Sequence, residues 1–182
     1  ENKTNAPLPE NVGSWAGRAR FSSAKWNVFA EYAHKINDPN SQNGFIYKDG
    51  QGMITQVNYT VKGFGVGVGA HTYDNMSYQS NRTAPTGFDL NINFLPPLTF
   101  QHTYNLPATL YPYATQPNGE VGYQGDLFYK FKKGSKFGGK YGTKISINYS
   151  TVFNLDSTAI PIEENFDGYK SKFFSPGDRQ YF

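Results

Sequence analysis

The sequence predicts an all-β fold, an antiparallel meander of long strands. Three observations carry that prediction. Side-chain character alternates with period two along about six segments, each segment runs ~10–12 residues, and tight turns alternate with long connections. Composition agrees: the 182 residues include 19 Gly, 14 Tyr and 15 Phe, while mean hydropathy is −0.62. No apolar run approaches the ~20 residues of a membrane helix.

The first segment places Trp15, Gly17, Ala19, Phe21 and Ser23 on one face and Ala16, Arg18, Arg20 and Ser22 on the other. A tight turn at Ala24–Lys25 leads into Trp26, Val28, Ala30 and Tyr32, opposed by Asn27, Phe29, Glu31 and Ala33. The third segment alternates Met53, Thr55, Val57, Tyr59 and Val61 with Ile54, Gln56, Asn58 and Thr60. Lys62–Gly63 then reads as a two-residue hairpin turn, with Gly supplying a positive φ and pairing Val61 with Phe64. In the fourth, Phe64, Val66, Val68, Ala70 and Thr72 oppose Gly65, Gly67, Gly69 and His71. Three alternate glycines abandon packing on one face. They make room for a large group, allow strong curvature, or thin the strand beside a bulky neighbour. The fifth segment alternates Val121, Tyr123, Gly125, Leu127, Tyr129 and Phe131 with Glu120, Gly122, Gln124, Asp126, Phe128 and Lys130. The sixth alternates Ile145, Ile147, Tyr149, Thr151 and Phe153 with Lys144, Ser146, Asn148, Ser150 and Val152.

Strands of this length exceed the usual ~5–6 residues and match the ~9–11 that cross a bilayer at a tilt. Short turns on one side and long loops on the other are the pattern of an outer-membrane barrel. The chain is therefore read as a single transmembrane β-barrel segment, residues 1–182. Residues 74–119 are either a long external or plug loop or two further strands, Phe88–Phe94 and Leu98–Leu106, about Pro96–Pro97. Six strands cannot close, and an open edge is not viable in lipid, so either the middle supplies two strands to make the eight of the smallest closed barrel or the chain is a partial barrel, part of a larger one.

Facing chemistry follows from the alternation. Arg18, Arg20, Glu31, His71, Asp126 and Lys130 are the lumen-facing candidates. Trp15, Trp26, Tyr59, Phe64, Tyr129, Phe131 and Phe153 are the lipid-facing candidates, aromatics placed near strand ends like an interfacial girdle. In a soluble sandwich the same alternation would put the apolar face in the core.

The blocks GFGVGVGAHTYDNMSY, LPPLTFQHTYNL and DLFYKFKKGSKFGGKYGTKISINYS carry a resemblance. From about Gly63 onward the order of these blocks resembles an uncharacterised porin-like outer-membrane family of Bacteroidota, with the Lys/Gly block as its most specific part. The resemblance implies a transmembrane β-barrel of unassigned function and no catalytic residues. It also implies that this chain is an internal portion of a longer protein.

Other chemistry is weakly signalled. GSKFGGKY, Gly134–Tyr141, nearly matches a phosphate-binding loop, but Tyr141 replaces the Ser/Thr, and a strand pattern rather than a helix follows. His34, His71 and His102 lack metal-ligand spacing and Cys is absent, so no metal or other cofactor is expected. A net charge of +3 gives no ground for a nucleic-acid partner. No Ser/His/acid set falls on matching positions, and no enzyme activity is expected. The expected surroundings are the outer-membrane bilayer and, as partners, subunits of an outer-membrane complex. The alternative is a soluble all-β carbohydrate-binding module, suggested by abundant Tyr and Trp. Lys130, Lys132, Lys133, Lys136, Lys140 and Lys144 form a basic run at one end, either a solvated turn or a contact for lipid head groups or a periplasmic partner.

Overall fold

The computed structural model describes residues 8–84, 116, 118–161 and 166–179. Seven strands lie in one sheet, in the order β1-β2-β3-β4-β5-β6-β7. They are β1 (Ser14–Ser22), β2 (Trp26–Lys35), β3 (Gly50–Val61), β4 (Phe64–Asp74), β5 (Gly119–Phe131), β6 (Thr143–Ala159) and β7 (Tyr169–Arg179). Every neighbouring pair is antiparallel. The only helix among the described residues is a single 3₁₀ turn, Ser41–Asn43, capped by the Asn40 side chain. The sheet is not closed: β1 and β7 are its two edges.

Registers follow from the hairpins. Phe21 faces Val28 across the first turn, and Val61 faces Phe64 across the second, where Gly63 takes φ 86°. Each later strand inherits this parity, since a slip of one residue would exchange the two faces. β4 and β5 pair from Phe64↔Tyr129 to Asp74↔Gly119. The intervening segment therefore inserts no strand between them. The two further strands considered for it lie outside the described residues.

Among the described residues seven strands stand where the alternation gives about six. The extra one, YKSKFFSPGDR, contains a Pro–Gly step and pairs with β6 through register shifts between Phe153 and Ser157. Such irregularity erases the period-two signal. β6 itself runs 17 residues.

The turns at 23–25, 62–63 and 132–142 share one end of the sheet, the turn end. The connections that leave β2, β4 and β6 start from the other, the loop end. Among the described residues only Tyr73, Val121, Val152 and Leu155 are buried hydrophobics, against eleven buried polar or charged ones. Burial is concentrated at the loop end, where residues such as Lys35, Asp38, Asn40 and Asn75 are almost fully covered.

Candidate functional surface

The register gathers the sequence-derived candidates onto two faces. Arg18 sits opposite Glu31, Glu31 opposite Ile54, Ile54 opposite His71, and His71 opposite Gly122. Asp126 and Lys130 continue that face on β5. All six charged or titratable candidates thus share one side of the sheet. Trp15, Trp26, Tyr59, Phe64, Tyr129, Phe131 and Phe153 share the other by the same register.

On the polar face, Arg18 pairs with Glu31 at 3.4 Å, and the Arg20 guanidinium lies over the Phe29 ring at 5.5 Å. Asp126 accepts from Gln124 at 3.0 Å and from the Asn148 amide. The glycines of β4 receive their neighbours' side chains. A Cβ on Gly65 would lie 2.2 Å from the Phe128 ring, and one on Gly67 would lie 2.7 Å from Asn58 Oδ1. The thin strand therefore serves bulky neighbours on β5 and β3. Lys144 lies over the same Phe128 ring at 5.2 Å. His71 shares this face but is 2% exposed, bonds Glu120 at 2.5 Å and stacks on Tyr73. Glu120 could not be recognised as its partner from the sequence, because the contact runs diagonally between β4 and β5, 49 residues apart.

The opposite face is apolar and, toward the turn end, bare. Ten large hydrophobics on it are exposed, from Trp15, Phe21 and Trp26 through Val68 to Ile145, Ile147 and Tyr149. The other five exposed large hydrophobics lie outside the strands. Along the turn-end margin an aromatic row runs Trp26–Tyr59–Phe64, with ring separations of 4.7 and 6.4 Å. It continues as Tyr129–Phe131–Phe137 at 4.8 and 5.7 Å. Aliphatic Val57, Val68, Leu127, Ile145 and Ile147 occupy the band beyond it.

At the loop end the same face is covered. Rings of Tyr32 on β2 and Phe173 on β7 are 6.0 Å apart, although five strand spacings of ~4.8 Å separate these strands within the sheet. The β6–β7 hairpin therefore folds back across the apolar face. Phe174 reaches Tyr123, Tyr123 reaches Phe153, and Asp74 accepts from Tyr169 at 2.7 Å and from Ser171 at 2.5 Å. Two expected girdle residues, Trp15 and Phe153, thus border an aromatic cluster whose β7 members the sequence reading missed. Phe153 is half-buried there.

Over the polar face the loop end carries a cap. Asp38 holds Arg82 at 2.9 Å and Lys35 at 3.7 Å, and the Lys35 ammonium also donates to the Ser77 carbonyl. Asn40 and Asn43 donate to the Asp38 carbonyl, each at 3.0 Å. Lys35 lies beyond the bare band, and burial pushes its ammonium down to about 8, against the raising attraction of Asp38. Sequence alternation singled out none of this cap, since Asp38, Asn40, Asn43, Ser77 and Arg82 come from irregular loops and Lys35 is the last residue of β2. Among the described residues no three His, Asp or Glu gather into a metal-binding set.

These features define an all-β antiparallel meander with one polar face and one face left apolar and open. The chain belongs to a family of unknown function (DUF6029), matched over residues 1–182. No curated protein and no solved structure matches it.

Proposed function

We propose that this chain is the wall of a porin-like outer-membrane β-barrel, or of an accessory subunit of an outer-membrane complex, with no catalysis. The porin-like likeness to Bacteroidota proteins is part of the same proposal. One observation carries it: ten large hydrophobics stand exposed on one sheet face while only four hydrophobics are buried among the described residues. A water-soluble chain seldom leaves so large an apolar patch open, whereas lipid is the natural solvent for one. On this reading Arg18, Arg20, Glu31, Asp126 and Lys130 face a wet interior. The tight turns face the periplasm and the long loops the exterior. The open edges at β1 and at residues 143–152 of β6, which β7 does not pair, would pair with further strands, because lipid supplies no hydrogen bonds to a bare edge.

The test is fractionation of outer membranes followed by gel analysis with and without boiling. A barrel remains with the detergent-extracted membrane and shifts mobility on boiling. A soluble, unshifted chain would overturn the proposal and promote the carbohydrate-binding module, whose exposed Trp15 and Trp26 would then be tested on glycans.

A further inference from the structure

The long turn 132–142 has chemistry that the wall reading leaves unused. A hairpin connection needs only about two residues, and this one is far longer. Its backbone is held in a defined shape: Gly134 N–H donates to the Gly139 carbonyl at 2.7 Å, and Gly139 N–H to the Ser135 carbonyl at 3.1 Å. A Cβ on Gly138 would fall 1.9 Å from the Lys132 carbonyl oxygen, so the fold of the turn requires glycine there. Held this way, the turn presents Phe137 and Tyr141 at 69% and 77% exposure, together with Lys132, Lys133, Lys136 and Lys140, all exposed.

The other two turns join it. Thr60 N–H donates to the Lys25 carbonyl at 2.8 Å, and Lys130 N–H to the Gly63 carbonyl at 2.7 Å. The three turns form one rim, to which Lys25 and Lys62 add further exposed ammonium groups. Segments 23–25, 62–63 and 132–142 contain no Asp or Glu. The opposite end holds acids such as Asp38, Asp49, Asp74 and Asp167. The Phe131–Phe137 contact makes the rim continuous with the apolar face.

We propose that this rim binds anionic phospholipid head groups of the leaflet on the turn side. The inference rests on the barrel reading and names a ligand for it. Aromatic rings at a membrane interface sit at head-group level, and flexible lysines beside them reach the phosphates. An acidic protein would satisfy the lysines alone; the aromatic continuation of the apolar band is what selects lipid.

The test reconstitutes the chain into vesicles of phosphatidylcholine alone or with added phosphatidylglycerol. It compares the native protein, the variant K132Q/K133Q/K136Q/K140Q, and a loop-end control, K170Q/K172Q. Phosphatidylglycerol co-purifying with the protein is quantified by mass spectrometry, and insertion is followed separately by protease protection and the boiling shift. The native chain and the control are expected to retain phosphatidylglycerol over phosphatidylcholine at least about tenfold better than the four-lysine variant. That difference should collapse near ~1 M salt, where the Debye length falls to about 3 Å. Normal insertion with equal retention in all three proteins overturns this inference and leaves the barrel standing. Lysine-dependent capture on phosphatidylglycerol vesicles without protection supports the lipid contact and overturns the barrel. Neither insertion nor capture overturns both.

Discussion

The two ends of the same seven strands obey opposite rules. At the turn end both faces are open, apolar residues are exposed, and the charges of the turns and the nearby Arg20 are basic. At the loop end both faces are covered except along the β1 edge, where Trp15 stays exposed, acids and bases interleave, and the buried groups are mainly polar: Lys35, Asp38, Asn40, His71, Asp74 and Glu120. The strands do not change character between the ends, because alternation continues along β2, β3 and β4. What changes is the cover. The segments at 36–49 and 75–84 cap the polar face, and the β6–β7 hairpin folds over the apolar one. Among the described residues burial is supplied by these connections and the folded-back hairpin rather than by a second sheet. Order at the loop end therefore depends on satisfied polar contacts, and order at the turn end on what solvent the apolar face meets.

The largest effect that would break this contrast is expected from Asp38→Ala. It strands the Lys35 and Arg82 cations, one of them fully buried, and should cost about 3–5 kcal/mol. Denaturant titration read out by proteolysis within 36–49 measures it; retention of a protected cap would contradict the buried-pair account. At the other end, Ile147→Arg places a charge in the middle of the bare band. In a bilayer it should cost about 2–4 kcal/mol, while on a water-exposed surface it should stay within about 0.5 kcal/mol. Folding equilibria in lipid vesicles thus distinguish the two solvents directly.

Gly65→Val probes the polar face between the ends. The new side chain collides with Phe128, and a loss of about 1–3 kcal/mol is expected. Combining it with Phe128→Ala should recover part of that loss; a purely additive double mutant would show that the two residues do not compete for the same space. The smallest effect is the pH dependence near neutrality. Folding lowers the Lys35 pKa from 10.5 to about 8. The unfolded chain therefore binds more protons between these values, and cap stability should rise with pH across that window. Between pH 7 and 8.5 the gain is under about 1 kcal/mol. Lys35→Met should flatten the rise, as pH-dependent proteolysis of the cap would reveal.

The site was legible to the extent that it depends on parity. Arg18, Glu31 and Asp126 land on one face, and Trp26, Phe64 and Tyr129 on the other, because a strand's side chains alternate by geometry alone. The partners of Asp74 and His71 were not legible. Tyr169 reaches Asp74 across 95 residues, and Glu120 reaches His71 across 49. β7 was missed because its bulged pairing and Pro–Gly step leave no clean period.

What the sequence by itself determined is therefore local: the strands β1 to β6, their faces, and the hairpin turns at Lys62–Gly63 and Ala24–Lys25. These rest on side-chain alternation and on the backbone freedom of individual residues, both short-range properties. The tertiary structure alone decided that the glycines of β4 receive Phe128 and Asn58, that the Lys/Gly turn is a built rim, and that His71 is buried. It also decided that the loop end is covered while the turn end stays bare. Each of these depends on which distant segments meet, and no periodicity encodes that, since a loop's resting place is set by the polar groups it must satisfy on arrival.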